Sequence, residues 1–296
     1  LAVGLGLLGW AYVAADGFGP LLSQPSRFAT NREFWAAFVP GLTAMVGFWA
    51  TLSLNIPDFS RFARSQRDQV LGQVIGLPGT MAFYAFIGVA TTSATIVVFG
   101  QPVWDPVALL AKFDHPLIAI PGLIALIIAT LTTNIAANIV SPANDFSNLS
   151  PSRISFKMGG VIAGLLGIVL LPWKLVADPS GYIFKWLIGY SALLGPIGGI
   201  MIADYFVIRR QRLDVAALYS RNGLYGTVRW ASVAVLFLAI LPHAPGFLVQ
   251  IDVLSPASVP AFFRGLYNFS WFSGFAIAFV LHLIFQKYSY EKPATV

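Results

Sequence analysis

The sequence contains little charge and no cysteine. Asp, Glu, Lys and Arg together make up 10% of its 296 residues, whereas hydrophobic residues make up 57%. Without cysteine, a disulfide framework and a thiolate metal site are both excluded. So little charge, together with a mean hydropathy of +0.76, also excludes an ordinary soluble domain. The composition is that of a polytopic, all-α membrane protein.

The basic residues are too scattered to indicate a nucleic-acid partner. The net charge is +6, but Lys and Arg are spread over short loops and form no basic tract or aromatic–basic module. Loops at 57–69, 141–157 and 209–229, together with the C-terminal end, carry twelve of the 18 basic residues, and the alternate loops carry six. By the positive-inside rule, this bias predicts a multi-pass protein of the cell membrane with a cytoplasmic C-terminus.

Eight apolar segments are candidates for membrane-spanning helices, which need about twenty residues. They lie at 1–15, 38–56, 71–99, 117–140, 158–176, 181–207, 227–248 and 267–286. Together they predict one transmembrane domain over residues 1–296. Because the first segment is short and residue 1 is Leu, we expect the chain to begin inside a helix, as a fragment of a longer protein.

Polar side chains interrupt the apolar run 118–140 at helical spacing. One face of the predicted helix carries Ala129, Thr132 and Thr133, and a neighbouring face carries Asn134, Asn138 and Ser141. Amides and hydroxyls are costly in hydrocarbon unless they face protein, water or a ligand. The pattern therefore indicates a buried polar seam or a transport site.

Two other spans contain glycine and proline at positions that favour a break or bend. The second span has Pro40, Gly41 and Gly47, and the sixth has Gly189 followed by the GPIGG cluster at 195–199. Interrupted spans in transporters expose backbone groups to substrate and ion near the bilayer midplane. Close packing of helices through small residues is the alternative interpretation of the cluster.

Three separated motifs resemble those of a known family. They are LNIPDFSRF at 54–62, TNIAANIVSPAND at 133–145 and LGPIGGIMIADYF at 194–206. In this order they resemble the nucleobase:cation symporter-1 family of permeases for cytosine, uracil, allantoin, purines, thiamine and hydantoins. The resemblance implies a LeuT-like five-plus-five inverted repeat of twelve helices. The chain would run from the end of helix five to helix twelve, holding the second repeat and two C-terminal helices without the N-terminal part.

The resemblance also implies a substrate site. Trp49 matches the tryptophan that stacks on the planar substrate ring, and Asn138 matches the asparagine that bonds its amide edge. An aromatic face suits a flat heterocycle, and a carboxamide offers two donors and an acceptor. Structural alternatives are membrane-interface anchoring for Trp49 and interhelical bonding for Asn138. Phe48 stands where the hydantoin permease has glycine, which weakens any transfer of its exact substrate.

The coupling ion has an implied site as well, and no other cofactor is expected. Ala129, Thr132 and Thr133 match the helix-eight half of the family's sodium site, where neutral oxygens would ligate the ion. Hydrogen bonding of threonine to its own helix is the alternative. Because some members use protons, Na⁺ and H⁺ both stay open. Leu187 matches a gating leucine, although a lipid-facing leucine would have the same pattern.

These features predict a cation-coupled symporter that imports a nucleobase or a related ureide or hydantoin, with allantoin or uracil favoured. An enzyme is not expected, because no nucleophile elbow, P-loop or HExxH motif occurs, and a membrane-embedded enzyme is the remote alternative. An amino-acid transporter of the same architecture is the nearer alternative. It would bind a carboxylate at a helix N-terminus, whereas Trp49 and Asn138 favour a neutral flat ring. Besides this small molecule, only membrane lipid is an expected partner, and the oligomeric state stays open.

Overall fold

The structure, a computed structural model, describes residues 2–113, 115–220, 225–226 and 228–289, and in that part every regular element is helical. The longer helices are α1 (Ala2–Ala14), α2 (Asn31–Asn55), α3 (Gln66–Phe99), α4 (Pro116–Asn138), α5 (Val140–Leu149), α6 (Phe156–Val169), α7 (Pro179–Ile208), α8 (Trp230–Gln250), α9 (Ala261–Asn268) and α10 (Ser270–Ser289). Shorter helical segments are Phe18–Leu22, Pro57–Ser60, Pro106–Leu110, Pro172–Ala177, Val215–Leu218 and Pro256–Ser258.

Five helical segments of the described chain are long and apolar enough to cross a membrane. They are α2, α3, α4 with α5, α7 and α8, and the pair α9–α10, bent by 93°, would make a sixth. The apolar helices α1 and α6 are shorter, with 13 and 14 residues. Each predicted span overlaps one of these helices. The fifth predicted span, 158–176, is interrupted, because Leu171 has positive φ and Pro172 begins a new helix.

The chain divides into two compact units. Unit 1 comprises Leu1–Ala29 and Pro57–Leu166, and unit 2 comprises Thr30–Ile56 and Gly167–Val296. In unit 1, α1 packs on α3 through small side chains that are at most 3% exposed, namely Ala11, Ala15, Ala90 and Ala94. The methyl groups let the two helices approach closely, as is usual for helices in membranes.

Unit 2 is built around α7, which packs along α10. A Cβ atom on Gly195 or Gly199 would collide with the backbone carbonyl of Trp271 or Phe275, respectively. The helix stays regular through Ile188–Ile202. The predicted break at 195–199 is therefore wrong, and the glycines serve close helix packing instead. The irregular backbone of α7 lies at its two ends, in π-helical turns at Tyr182–Leu187 and Ala203–Ile208.

The break predicted in the second span is also missing from the structure. Helix α2 continues through Pro40 and Gly47 and ends only before Pro57. A Cβ atom on Gly47 would lie 2.7 Å from the carbonyl oxygen of Leu187 and would collide with the Ser191 hydroxyl. Gly47 is therefore required for the close approach of α2 to α7, which explains a glycine within a continuous helix.

Candidate substrate and cation site

The predicted cation ligands lie together on one exposed face of α4 in unit 1. The Thr132 hydroxyl is 2.8 Å from the carbonyl oxygen of Ile128 and 3.1 Å from that of Ala129, and donates its hydrogen toward them. The lone pairs of Thr132 Oγ1 consequently face away from the helix. Thr133, the next residue, is also exposed. The face thus presents neutral oxygens, the ligand type that suits a hard cation.

Asn138 is the last residue of α4, and its side chain is held in place by Asn134. Its Nδ2 atom donates to Asn134 Oδ1 at 2.6 Å, and both side chains are exposed. This bond uses one N–H of the Asn138 amide and leaves its oxygen and second N–H for a ligand. The sequence pattern placed Asn134 on the polar face without a role of its own, although the i, i+4 spacing of two amides is a signal for such a pair.

The helix is interrupted directly after Asn138, at Ile139, where φ is −113°. Pro142 supplies the cause, because proline has no N–H to donate to the carbonyl four residues earlier, which is that of Asn138. Asn138 therefore presents a backbone oxygen as well as its amide. The interruption also turns Ser141 into the interior, where it is fully buried. Ser141 and Asn138, predicted on one face of a regular helix, thus differ in exposure, since Asn138 is exposed and Ser141 is buried.

Helix α5 follows the interruption and connects two of the sequence motifs. Asn144 Nδ2 donates to Asp58 Oδ1 at 2.9 Å, so that the second motif is bonded to the first within unit 1. Gly159 of α6 packs against α5, since a Cβ atom there would lie 2.5 Å from the carbonyl oxygen of Ala143. These contacts hold α5 in place directly after the polar end of α4. The sequence had predicted a loop at this position.

In unit 2, Trp49 lies half-buried on α2, beside Phe48, which is 49% exposed. The two rings meet edge to face, with centroids 5.3 Å apart. Two buried hydroxyl groups attach this helix to its neighbours: Ser191 Oγ of α7 lies 3.1 Å from the Thr43 carbonyl oxygen, and Thr43 Oγ1 donates to the Asn268 carbonyl at 2.5 Å. These two hydroxyls were not identified from the sequence as helix-packing groups. Their position inside apolar spans is the sequence signal that could have indicated this role.

Leu187 is 4% exposed and belongs to the core of unit 2. It packs with Ala44, Ile188 and Tyr267, and it ends the π-helical turn of α7. It is therefore not a lipid-facing leucine. π-Helical turns occur frequently at functional sites. This one places Leu187 against Ala44 of α2, which lies about one and a half helical turns before Trp49.

A partly buried polar cluster joins the other end of α7 to α10. Arg209 Nε donates to the Asp204 carboxylate, and His282 Nε2 lies 3.5 Å from its second oxygen. The Arg209 side chain is only 8% exposed. Arg209 lies in one of the loops whose basic residues predicted the membrane orientation. The structure also places it, with Asp204, in a partly buried network, because α10 brings His282 to them from far along the chain.

Comparison with known proteins agrees with this fold. Residues 1–274 match the family described as permease for cytosine/purines, uracil, thiamine, allantoin. The chain is 45% identical to the purine-uracil permease NCS1 of Arabidopsis thaliana and 43% identical to the allantoin permease of Bacillus subtilis. These alignments each cover 95% of this chain, 47% of the first relative and 56% of the second. The chain thus spans about half the length of the curated relatives it matches.

Two solved structures share the fold. One is Mhp1, a nucleobase-cation-symport-1 family transporter, in a closed conformation with bromovinylhydantoin bound, with a TM-score of 0.69 and 23% identity over 97% of this chain and 59% of that one. The other is inward-facing Mhp1, with a TM-score of 0.62. They confirm the all-α, LeuT-like transporter fold. On the evidence of these matches, the chain belongs to the family of permeases for cytosine, purines, uracil, thiamine and allantoin.

Proposed function

We propose that the protein carrying this chain is a secondary active symporter that imports a nucleobase or a related ureide, such as allantoin, together with a cation. The similarity to a purine-uracil permease and an allantoin permease supports the substrate class. The observation that carries the proposal is the polar face of α4. There an amide held by its neighbour lies beside a helix interruption, six residues from the Thr132 hydroxyl, or about 9 Å along the helix.

The substrate would form hydrogen bonds at the edge of its ring and stacking contacts on its face. Uracil and allantoin carry N–H and C=O groups side by side, and the free oxygen and N–H of Asn138 are complementary to such an edge. Trp49 and Leu187, both in unit 2, keep their predicted roles in this proposal: the first stacks on a flat ring, which is favourable for heterocycles, and the second is an apolar gate. A bound carboxylate, as in an amino-acid transporter, would place a charge against these neutral groups.

Sodium is the coupling ion that the oxygens of α4 fit. The Ala129 carbonyl and the Thr132 and Thr133 hydroxyls are neutral, hard ligands, and no residue of α4 is titratable at physiological pH. Transport would proceed by alternating access, in which ion and substrate stabilise the same conformation. The C-terminus would face the cytoplasm, where the loops richer in Lys and Arg lie.

The test is uptake of radiolabelled uracil, allantoin, cytosine and benzylhydantoin into liposomes that contain the protein carrying this chain. Inward sodium and proton gradients are imposed separately. We expect saturable uptake of at least one of these compounds that follows the sodium gradient. Uptake driven only by protons would overturn the ion assignment. Competition by amino acids, with none by the four heterocycles, would overturn the substrate class.

A further inference from the structure

Unit 2 contains a groove that the proposed transport function does not use. Its apolar part has a volume of about 280 Å³ and lies between α7 and α8. Gly189 forms part of its wall, and the stacked rings of Trp186 and Tyr190, with centroids 6.4 Å apart, form another part. Leu193 is 47% exposed at the inner end. Within the described residues, no side chain of the unit fills this space.

The groove continues into a polar mouth. A second space of about 270 Å³ shares Lys185, Trp186 and Phe247 with the first and adds Lys174 and Asp178. Lys185 pairs with Asp252 at 3.0 Å, at an exposed position where such a pair contributes little. The Asp178 carboxylate caps a helix start by accepting from the Gly181 N–H. Lys174 has no ion-pair partner in the described part of the chain, so its ammonium group can contact an anionic group at the mouth, where the Asp178 carboxylate is engaged by a backbone N–H.

The direction of the groove matches the depth of one membrane leaflet. The polar mouth lies where α7 begins and α8 ends, at Tyr182 and Ile251. The apolar part follows α7 inward to Leu193. Eleven residues of helix rise about 16 Å, close to the half-thickness of a hydrocarbon core of about 30 Å. A phosphate at the mouth and an acyl chain in the groove would therefore lie at their natural depths.

We propose that this groove is a specific binding site for a membrane phospholipid. The phosphate would contact Lys174 and Lys185, and one acyl chain would lie against Trp186 and Tyr190 along α7. Ammonium groups form charge-assisted hydrogen bonds with phosphate, and indole and phenol rings favour the interface between head group and chain. Because Lys174 is unpaired, an anionic phospholipid binds more tightly than a zwitterionic one.

The test uses phosphatidylglycerol and phosphatidylcholine that each carry a photoreactive diazirine midway along one acyl chain. The protein carrying this chain is reconstituted with either lipid, irradiated and digested, and the labelled peptides are identified by mass spectrometry. We expect phosphatidylglycerol to label the segments 186–193 and 240–247 above the other lipid-facing segments. Removal of a lysine should lower this labelling roughly fivefold, since each basic group near the surface contributes in that range.

Four variants separate the site from general lipid contact. Lys174→Gln with Lys185→Gln removes the head-group contacts, and Ala244→Leu fills the groove; both should reduce labelling. The matched controls, Lys157→Gln and Ala82→Leu, change an exposed lysine and an exposed helical alanine elsewhere and should leave it unchanged. Labelling that is uniform along the helices, or equal for all variants, would overturn the proposal. So would crosslinking of the groove to a second copy of the protein. None of these outcomes depends on transport.

Discussion

At the scale of the residue, the candidate site depends on groups whose environment could be read only in part from the sequence. Asn138 and Thr132 were identified by their spacing on an apolar helix, which is visible in sequence. The Asn134–Asn138 bond was not predicted, nor was the difference in exposure between Ser141 and Asn138. They depend on the exact course of the helix at Ile139, and a helical wheel assumes that this course is regular.

Substitution of Asn138 by Ala should weaken substrate binding about tenfold to a hundredfold. A ligand amide left without its partner typically costs 1–3 kcal/mol, and 1.4 kcal/mol is a factor of ten. Asn134→Ala should have a smaller effect, a few-fold, because it removes only the group that orients Asn138. Binding is measured by scintillation proximity with the labelled substrate found by the uptake screen. Equal, wild-type affinity in both variants would remove α4 from the substrate site.

Replacing Thr132 by Val should weaken sodium binding and, through linkage, lower the substrate affinity at a fixed sodium concentration. Valine keeps the shape of threonine but removes the oxygen whose lone pairs face away from the helix. Saturating sodium should restore most of the affinity of the variant. Ser147→Ala serves as the control, since it removes a hydroxyl that bonds only its own helix in α5. If Thr132→Val and the control behave alike, the Thr132 hydroxyl serves only its helix.

At the scale of the element, composition and hydropathy predicted where helices occur, but not where they break. Glycine and proline suggested breaks near Gly47 and at 195–199, but both segments are continuous helices. The glycines there allow a neighbouring helix to pack closely. An interruption occurs instead after Asn138, in an apolar sequence. Pro142, four residues further on, is its physical cause and its only local signal.

Substitution of Pro142 by Ala should therefore straighten α4 and α5 into one helix. The new N–H can donate to the Asn138 carbonyl, so thermal stability in detergent should be unchanged or higher. Substrate affinity should fall, because that carbonyl is withdrawn and the Asn138 amide is displaced. Stability is followed by fluorescence-detected size-exclusion chromatography after heating, and affinity by the binding assay above. A variant that loses stability and keeps its affinity would contradict this account of the interruption.

The glycines of α7 provide a prediction with an internal control. Gly199→Ala should destabilise unit 2 by about 1–3 kcal/mol, the usual cost of overpacking, because the added methyl collides with the Phe275 carbonyl. Gly198→Ala adds the same methyl on the same helix, 3.6 Å from the Phe275 ring, at ordinary contact distance. It should be neutral or slightly stabilising. The melting temperatures of the two purified variants are compared with that of the parent. Similar melting temperatures would mean that α7 and α10 are not packed through Gly199.

At the scale of the whole molecule, the fold was accessible from the sequence because it follows from composition and three motifs. Apolar segments of sufficient length predict an all-α membrane protein, since every backbone group must be bonded within the membrane. The LeuT-like transporter fold was predicted from the resemblance of the three motifs. The contacts within each unit depend instead on residues distant in sequence. Thr43 with Asn268, and Asp204 with His282, are examples that no local pattern shows.

The orientation of the chain in the membrane is the prediction that belongs to this scale. Because the chain contains no cysteine, a single cysteine placed in it reports its own side of the membrane. Ala63→Cys lies in a loop of the basic-rich set, and Ala257→Cys lies in a loop of the other set; both positions are exposed. In intact cells, a membrane-impermeant maleimide should label Ala257→Cys at once. It should label Ala63→Cys only after the membrane is permeabilised, because the positive-inside rule places that loop in the cytoplasm.

Cysteines native to the rest of the protein are first replaced by serine, and uptake of the labelled substrate verifies that each variant is folded. The reverse labelling pattern would invert the predicted topology. Labelling of both positions in intact cells would place them on the same side, so that an odd number of the predicted spans between them does not cross the membrane.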